Sequence, residues 1–390
     1  MRILIIHNTL NDSTSVSGVL KHYAFMANEW NAAGHPTDFV VAKAGFPQLQ
    51  QLAPQSRLIN SDNFFNATNH LAQTWRYFPA YAWRLATAHT LRLPGRYDVI
   101  YSSGQFIVEV HAARVIARRQ QAKFAVKIQH VLHSQPKRHG WINRLFLWAE
   151  RVSVRSIHRH ADAVLCLSQV VADDYRALET ELGLTPTVTK LVGCGIDFAA
   201  ISSPPPGEKK FDVVFLGRLH EQKGVFDLPQ FWQSVVAQKP NARLLVIGEG
   251  PHRHQTETRF QQLGLQGSVT FTGGISEARK NELLAQSRIG VSLSYEEGWG
   301  LSVTEFLAAG LPVVAYELPV FRHIFPGQLV PVPPGDWPRL AREVTGLLMD
   351  ETRQFALGNA GRQFVQRYDY RQVAKEELAA LQAVVDRVQN

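Results

Sequence analysis

Two carboxylates separated by a glycine-rich turn are the residues of this sequence best suited to bind a ligand. Residues 297–305 read Glu-Gly-Trp-Gly-Leu-Ser-Val-Thr-Glu, after an apolar segment at 289–293 and before a helical pattern that ends at Gly310. In a turn that joins a strand to a helix, backbone N–H groups point outward and favour an anion. A carboxylate would repel that anion, so we expect Glu297 and Glu305 to accept hydrogen bonds from flanking hydroxyls, as in a sugar and a ribose. The helix dipole alone also favours acids at this place, which leaves a purely structural role open.

A second segment places two cations between glycines, directly after a strand-like run. Residues 211–216 are mostly apolar, and residues 217–224 read Gly-Arg-Leu-His-Glu-Gln-Lys-Gly. Arg218 can grip diphosphate oxygens with its planar guanidinium, and Lys223 adds a compact charge. The segment lacks the Gly-Lys-Ser/Thr context of a P-loop. It predicts a diphosphate site, with a solvated basic loop as the alternative.

Taken together, the ordered motifs of the chain resemble family 4 of the retaining glycosyltransferases. In chain order the matching pieces are Ser17-Gly18, His130, Ser168, Gly195-Ile196-Asp197, residues 217–224, Gly248-Glu249-Gly250-Pro251, the 297–305 stretch and Gly310-Leu311-Pro312-Val313-Val314. The sequence departs from the family pattern at Ser17, Cys194 and Trp299. The resemblance implies an α/β fold called GT-B, in which two Rossmann-like doubly wound domains face a central cleft.

The same resemblance implies transfer of a hexosyl group from a nucleotide diphosphate sugar, with UDP-glucose as the first guess, and retention of the anomeric configuration. It assigns catalytic roles to His130, Glu297, Arg218 and Lys223. It assigns donor binding to Gly18, Gly217, Arg218, Lys223, Gly250, Ile275, Gly298, Gly300, Leu301, Ser302 and Glu305. Stabilising the departing diphosphate is the main task of such a site. The pair Asp173-Asp174 is adjacent and helical, not Asp-x-Asp, so we expect neither a metal nor another cofactor.

Length and composition agree with two soluble domains. The chain has 390 residues, of which 45% are hydrophobic and 19% charged, and its apolar runs are too short to span a membrane. The two cysteines have no metal-ligand spacing, which favours a reducing compartment. We therefore expect a cytoplasmic protein, which leaves peripheral binding to the inner face of a membrane open.

A proline-rich segment divides the chain. Three consecutive prolines at 204–206 mark a linker over 202–210. Strand-like runs alternate with helix-length segments on both sides of it, which predicts parallel sheets with ligands at the carboxyl ends of the strands. We expect an acceptor-binding domain at 1–201, a nucleotide-sugar domain at 211–365, and a last helix at 366–390 that crosses back to the first domain.

The excess of positive over negative charge lies in the first half of the chain. Residues 1–200 hold 21 Lys and Arg against 13 Asp and Glu, which equals the net charge of +8 of the whole chain. Aromatic residues are interleaved with these cations at 75–96 and 140–149, as in helices that lie on anionic membranes. Core helices with a basic solvent face are the alternative. Nucleic acid is not expected as a partner, because no nucleic-acid-binding signature is present.

Two other functions remain open from the sequence. The first is a nucleotide-sugar epimerase of the GT-B fold, which would need catalytic carboxylates in the first domain. The second is a non-catalytic basic protein that binds membranes. The expected partners are a nucleotide sugar donor and a glycan or lipid-linked acceptor.

Overall fold

The computed structural model describes residues 1–7, 18–61, 77–134, 141–203 and 208–386. The strands are β1 (Ile3–His7), β2 (Thr37–Val41), β3 (Leu58–Asn60), β4 (Val99–Ser102), β5 (Lys123–Ile128), β6 (Ala163–Cys166), β7 (Thr189–Leu191), β8 (Phe211–Leu216), β9 (Leu244–Ile247), β10 (Val269–Gly273), β11 (Ser287–Ser292), β12 (Val313–Tyr316) and β13 (Val330–Val332).

The helices alternate with these strands. They are α1 (Gly18–Ala32), α2 (Phe46–Leu52), α3 (Tyr77–Thr87), α4 (Ile107–Gln120), α5 (Trp141–His160), α6 (Gln169–Glu181), α7 (Phe198–Ser202), α8 (Leu228–Gln238), α9 (Arg253–Gln262), α10 (Glu277–Ala285), α11 (Leu301–Ala308), α12 (Pro319–Ile324), α13 (Trp337–Met349), α14 (Glu351–Val365) and α15 (Tyr370–Asp386). No helix within the described ranges is both long and apolar enough to cross a bilayer.

The chain forms two compact units. The first unit comprises Met1–Gly195 and Tyr370–Asn390, and the second comprises Ile196–Asp369. The first unit therefore ends before the expected linker, because α7 packs against α10 and α11 of the second unit. The last helix, α15, belongs to the first unit and packs against α1.

The first unit is built on a seven-stranded parallel sheet. Its strand order is β3-β2-β1-β4-β5-β6-β7. Side chains of β1 alternate between two cores: Ile3 and Ile5 pack on the side of α1 and α15, whereas Leu4 and Ile6 pack on the side of α4. Both faces of the sheet are covered, which explains the continuous apolar strands in the sequence.

A buried polar cluster ties α15 to this sheet. Lys127 of β5 donates to Glu377 of α15 at 2.7 Å and contacts His22 of α1 at 2.9 Å. Tyr101 of β4 donates to the same carboxylate at 2.6 Å. A buried charge is costly unless it is paired, so these contacts satisfy Lys127 while Val373, Ala374, Leu378 and Leu381 of α15 pack into the core of the first unit.

The two ends of the first unit also meet where the chain leaves it and returns. A Cβ atom on Gly195 would lie 2.6 Å from the Cα atom of Tyr370. A larger residue at Gly195 would therefore push these two segments apart.

The second unit is built on a six-stranded parallel sheet. Its order, β10-β9-β8-β11-β12-β13, is that of a doubly wound nucleotide-binding fold. The chain reverses its direction across the sheet between β8 and β11, which are paired from Phe211 to Phe215. Ligands of such sheets bind outside the carboxyl ends of the strands at this switch point. The two motifs of the sequence follow these two strands.

Candidate active site

The loops that follow β8 and β11 are held together by their backbones. The backbone N–H of Tyr295 donates to the carbonyl of Gln222 at 2.9 Å. Gly224 closes the first loop in the left-handed region, with φ of 69°, and a Cβ atom there would lie 2.1 Å from the carbonyl oxygen of Leu293. Only glycine fits this close approach. The contact fixes the loop that carries Arg218 and Lys223 against the loop that carries Glu297.

An ion pair joins the two motifs. Lys223 Nζ lies 2.5 Å from Glu297 Oε1, and Ser294 donates to the same oxygen at 2.9 Å. The side chain of Glu297 is 10% exposed and that of Lys223 is 23% exposed, so the pair lies at the edge of the core with access to a ligand. Arg218 is exposed and contacts Gln222 at 3.4 Å. An exposed cation, Arg218, and a cation paired with a carboxylate, Lys223, therefore stand on the same loop.

The amino end of α11 completes this edge. Gly300 precedes the helix with φ of 101°, and no side chain caps it. A Cβ atom on Gly300 would lie 2.6 Å from the ring of Phe321. Gly298, Leu301 and Ser302 are half-buried around this helix end. Its N–H groups and dipole can stabilise an anion next to Lys223.

Glu305, the second carboxylate of the 297–305 stretch, forms an ion pair that the sequence did not indicate. Lys280 of α10 lies 2.5 Å from Glu305 Oε1 and 2.7 Å from Glu277 Oε2. Burial opposes the charge on Lys280, but Glu305 and Glu277 together raise its pKa above the ordinary value. Ile275 is half-buried and lies directly before Ser276, the residue that caps α10.

The remaining predicted positions of this unit lie on neighbouring loops. Gly217 donates from its N–H to the carbonyl of Ile247 at 3.0 Å, and Gly250 follows that strand. His220, in the loop after β8, is half-buried; burial first and the nearby Arg218 second lower its pKa. A neutral His220 leaves the positive charge of the loop on Arg218 and Lys223.

Two family descriptions match the chain, one in each unit. "Glycosyl transferase 4-like domain" matches residues 17–183, and "Glycosyl transferases group 1" matches residues 199–364. The chain belongs to the family 4-type glycosyltransferases. The recognition made from the motifs is thereby confirmed.

Curated members of this glycosyltransferase group are similar over part of their length. A phosphatidyl-myo-inositol mannosyltransferase of Mycolicibacterium smegmatis is 29% identical over 201 residues, which are 49% of this chain and 50% of that protein. An alpha-monoglucosyldiacylglycerol synthase of Streptococcus pneumoniae is 27% identical over 44% of this chain and 41% of that protein. The chain thus spans about half the length of the curated relatives it matches.

Solved structures of glycosyltransferases share the fold over nearly the whole chain. HepE of Anabaena, solved with UDP and glucose, superposes with a TM-score of 0.75 at 19% identity and covers 97% of this chain and 99% of its own. TarM of S. aureus, in complex with UDP and other ligands, has the same TM-score at 12% identity and covers 97% and 99%. The expected GT-B architecture of two parallel sheets with flanking helices is confirmed.

The glycosyltransferase positions expected in the first unit are Gly18, at the start of α1, and His130, after β5. Gly18 is exposed at the start of α1, and residues 8–17, including Ser17, lie outside the described residues. His130 follows β5 and is half-buried; its carbonyl accepts a hydrogen bond from Gln105, and its ring meets that of Phe106 edge-on at 6.0 Å.

Two polar groups of the first unit were missed in the sequence. His7 Nδ1 lies 2.7 Å from Ser103 Oγ, which donates to Glu109 at 3.2 Å, at the switch point between β1 and β4. Glu150, the one acid in a basic segment, accepts bonds from the N–H of Leu132 and from His133 at 2.7 and 2.8 Å. Glu150 therefore fixes the turn that follows His130.

Proposed function

We propose that this protein is a retaining glycosyltransferase that uses a nucleotide diphosphate sugar. The observation that carries the proposal is the Lys223–Glu297 pair beside Arg218 and the amino end of α11, at the switch point of the second sheet. One edge then holds an acceptor for sugar hydroxyls and three sources of positive potential for a diphosphate. UDP-glucose is the first donor to test, since HepE was solved with UDP and glucose.

In the proposed reaction, the anomeric carbon loses its bond to the diphosphate oxygen and gains one to the acceptor oxygen on the same face. The acceptor proton passes to the departing phosphate. Arg218, Lys223 and the N–H groups near Leu301 stabilise the charge that develops on that phosphate. Glu297 positions the donor sugar, and His130 is assigned to the sugar and the leaving phosphate. With these cations in place, the reaction needs no divalent metal.

The test is a panel of UDP-, GDP- and ADP-sugars, with nucleoside diphosphate release and product anomer measured by NMR. A thermal-shift screen with the free nucleotides identifies the base first. We expect one nucleotide to stabilise the protein, one donor to turn over with retention, and EDTA to leave the rate unchanged. Stabilisation by none of the nucleotides would overturn the proposal, and conversion of the donor sugar to its epimer would favour the epimerase.

We propose that the acceptor is a lipid or lipid-linked glycan on an anionic membrane surface, at the cytoplasmic face. Two relatives named above act, by their names, on phosphatidyl-myo-inositol or form a glucosyldiacylglycerol product, which supports this class. In α5, Arg144, Trp148 and Arg155 are exposed and follow one another at helical spacing, with Trp148 59% exposed. An exposed Trp among cations suits a headgroup layer better than a core.

Vesicle sedimentation tests this surface. Arg151 of the same helix forms an ion pair with Glu181, so Arg144 and Arg155 are the two cations to change. Each cation contributes roughly 1 kcal/mol to binding of anionic lipid. We expect Arg144→Glu with Arg155→Glu to abolish pelleting at low salt and to spare donor hydrolysis. The matched control reverses Arg339 and Arg342, which are exposed on α13.

Failure of the unaltered protein to pellet with anionic vesicles at low salt would favour a soluble sugar acceptor. The side chain of Trp141 lies outside the described residues, so it is not part of this test.

A further inference from the structure

Lys280 carries a charge at a buried position, where an uncharged side chain would avoid the free-energy cost of desolvation. Its side chain is only 6% exposed, on a helix whose other charged residues face solvent. Taking an ammonium group out of water costs several kcal/mol unless good partners replace the water. Its partners are Glu305 at 2.5 Å and Glu277 at 2.7 Å. The short contact to Glu305 joins residues 25 positions apart and links α10 to α11.

This contact uses one of the two carboxylate oxygens of Glu305. Lys280 occupies Oε1, and the side chain of Glu305 keeps 18% exposure. Within the described residues, Oε2 accepts no hydrogen bond. A carboxylate whose rotation is fixed at one oxygen presents the other in a defined direction, and an oriented acceptor loses less entropy when it binds a hydroxyl.

The turn before the same helix holds Ile275, a second residue expected to contact the nucleotide. Ile275 lies directly before the cap of α10, whose Ser276 hydroxyl accepts from the N–H of Arg279 at 3.3 Å. The turn that leads into α10 and the cation that holds Glu305 therefore belong to one continuous capped segment. A nucleotide whose base contacts that turn and whose ribose contacts Glu305 would meet two contacts held at a fixed separation.

We infer that Lys280 is a positioning residue that orients Glu305 toward the ribose hydroxyls and so sets the preference for ribonucleotides over deoxyribonucleotides. The inference rests on the proposed use of a nucleotide donor. Lys280 does not itself touch the ligand in this role. Its removal leaves Glu305 free to turn into solvent, which weakens the contact to the hydroxyls and leaves the contacts to base and diphosphate.

The experiment compares two ligands by isothermal titration calorimetry. UDP is measured against 2′,3′-dideoxy-UDP, or GDP or ADP against its dideoxy form if the thermal screen selects that base. A hydrogen bond to a charged group is worth enough to change affinity by about tenfold or more. We expect the unaltered protein to prefer UDP by at least that factor. Lys280→Met should lower the affinity for UDP by about tenfold. Its affinity for dideoxy-UDP should stay within about twofold of that of the unaltered protein.

Further variants sharpen the comparison. Arg279→Met is the matched control, because Arg279 is the preceding residue, exposed, and paired with Glu282 at 2.7 Å; it should change neither affinity. Lys280→Arg should restore most of the ribose preference. In a Glu305→Gln background, Lys280→Met should have no further effect on the ratio. If Lys280→Met does not fold, Lys280→Gln removes the same charge and decides the question.

The outcomes separate the two proposals. If Lys280→Met lowers the affinities for UDP and dideoxy-UDP equally, or lowers neither, the role of Lys280 is overturned while the donor assignment stands. Binding of no nucleoside diphosphate by the unaltered protein overturns both.

Discussion

At the scale of single residues, the pairing of Lys223 with Glu297 connects two motifs that lie 74 positions apart. In the proposed reaction a donor diphosphate would compete with Glu297 for the ammonium group of Lys223. The sugar hydroxyls would then take the place that Lys223 leaves on the carboxylate. Binding of the donor is thus an exchange of partners between charges already in place.

The two loop cations should be needed for turnover. Arg218→Ala and Lys223→Ala should each lower kcat/KM by ~10²-fold or more, the scale of a lost donor to a charged transition state. Steady-state kinetics with the donor found in the panel gives the measurement. Lys239→Ala is the control, because Lys239 lies in the same unit and pairs with Asp212 at 3.3 Å. Near-normal rates in both loop variants would show that Arg218 and Lys223 do not stabilise the departing diphosphate.

The two carboxylates of the 297–305 stretch should differ in what they bind. Glu305→Ala should weaken the binding of free UDP, because the ribose hydroxyls lose a charged hydrogen-bond acceptor. Glu297→Ala should leave UDP affinity equal or slightly higher, since Lys223 loses its competing partner, and should reduce turnover. Calorimetry with UDP and steady-state rates measure both. Equal loss of UDP affinity in the two variants would contradict the assignment.

What the sequence could indicate at this scale depended on local spacing. Glu297, Glu305, Arg218 and Lys223 stand in short motifs, and the residue types alone suggested an anion with flanking hydroxyls. Lys280 could not be found that way, because its link to Glu305 exists only once α10 and α11 are packed. The contact of His7 with Ser103, residues 96 positions apart, was hidden for the same reason.

At the scale of elements, the strand-to-loop junctions after β8 and β11 decide the geometry of the site. Long apolar runs made most strands recognisable in the sequence. The edge strands β3 and β13 were not predicted, because β13 contains Pro331, which disfavours a strand interior, and β3 shows no alternation of polar and apolar residues. Neither strand lies next to the switch point of its sheet, so the omission did not affect the predicted site.

Gly224→Ala tests how closely the two loops must approach. The added Cβ atom would meet the carbonyl of Leu293 at 2.1 Å, and φ of 69° disfavours any other residue. We expect a lower melting temperature and a loss of turnover comparable to Lys223→Ala, because the loop must move away from β11. Gly264→Ala is the control: it has φ of 70° but nothing within 4 Å of the added atom. Similar turnover in the two variants would mean that loop contact is not required.

At the scale of the whole molecule, the chain is two units of parallel sheet, and the first is completed by a helix from the far end of the sequence. The alternation of strands and helices predicted the doubly wound sheets. The charged groups that bind α15 could not be predicted, because Lys127 and Glu377 are 250 positions apart and sequence patterns do not reveal a buried pair.

The buried cluster should make stability depend on pH. Burial first, and then the charge of Lys127, lower the pKa of His22 below its ordinary value of 6.5. Below that value the unfolded chain gains a proton that folded His22 does not accept, so stability falls as the pH falls. Glu377, whose pKa is lowered to about 2 by Lys127 against the effect of burial, adds a loss only between about pH 4.5 and 2.

We therefore expect the melting temperature to fall from pH 7.5 to pH 5, and His22→Gln to reduce this slope. One kcal/mol corresponds to about 2–4 °C for domains of this size. Circular dichroism melts give the measurement, with exposed His254→Gln as the control that keeps the full slope. An identical slope in His22→Gln and the unaltered protein would remove His22 from the cause.

The return of Tyr370–Asn390 to the first unit also bears on how the protein is made. The ribosome releases this segment only after the whole second unit, so the half that is begun first is finished last. Until then the indole of Trp30, which donates to Ala374 at 2.9 Å, and the charge of Lys127 have no cover on the nascent chain. The continuous second unit can fold without that delay. The growing protein therefore holds an open apolar surface from the synthesis of Gly195 until Tyr370–Asp386 emerges, and a chaperone would be expected to bind there.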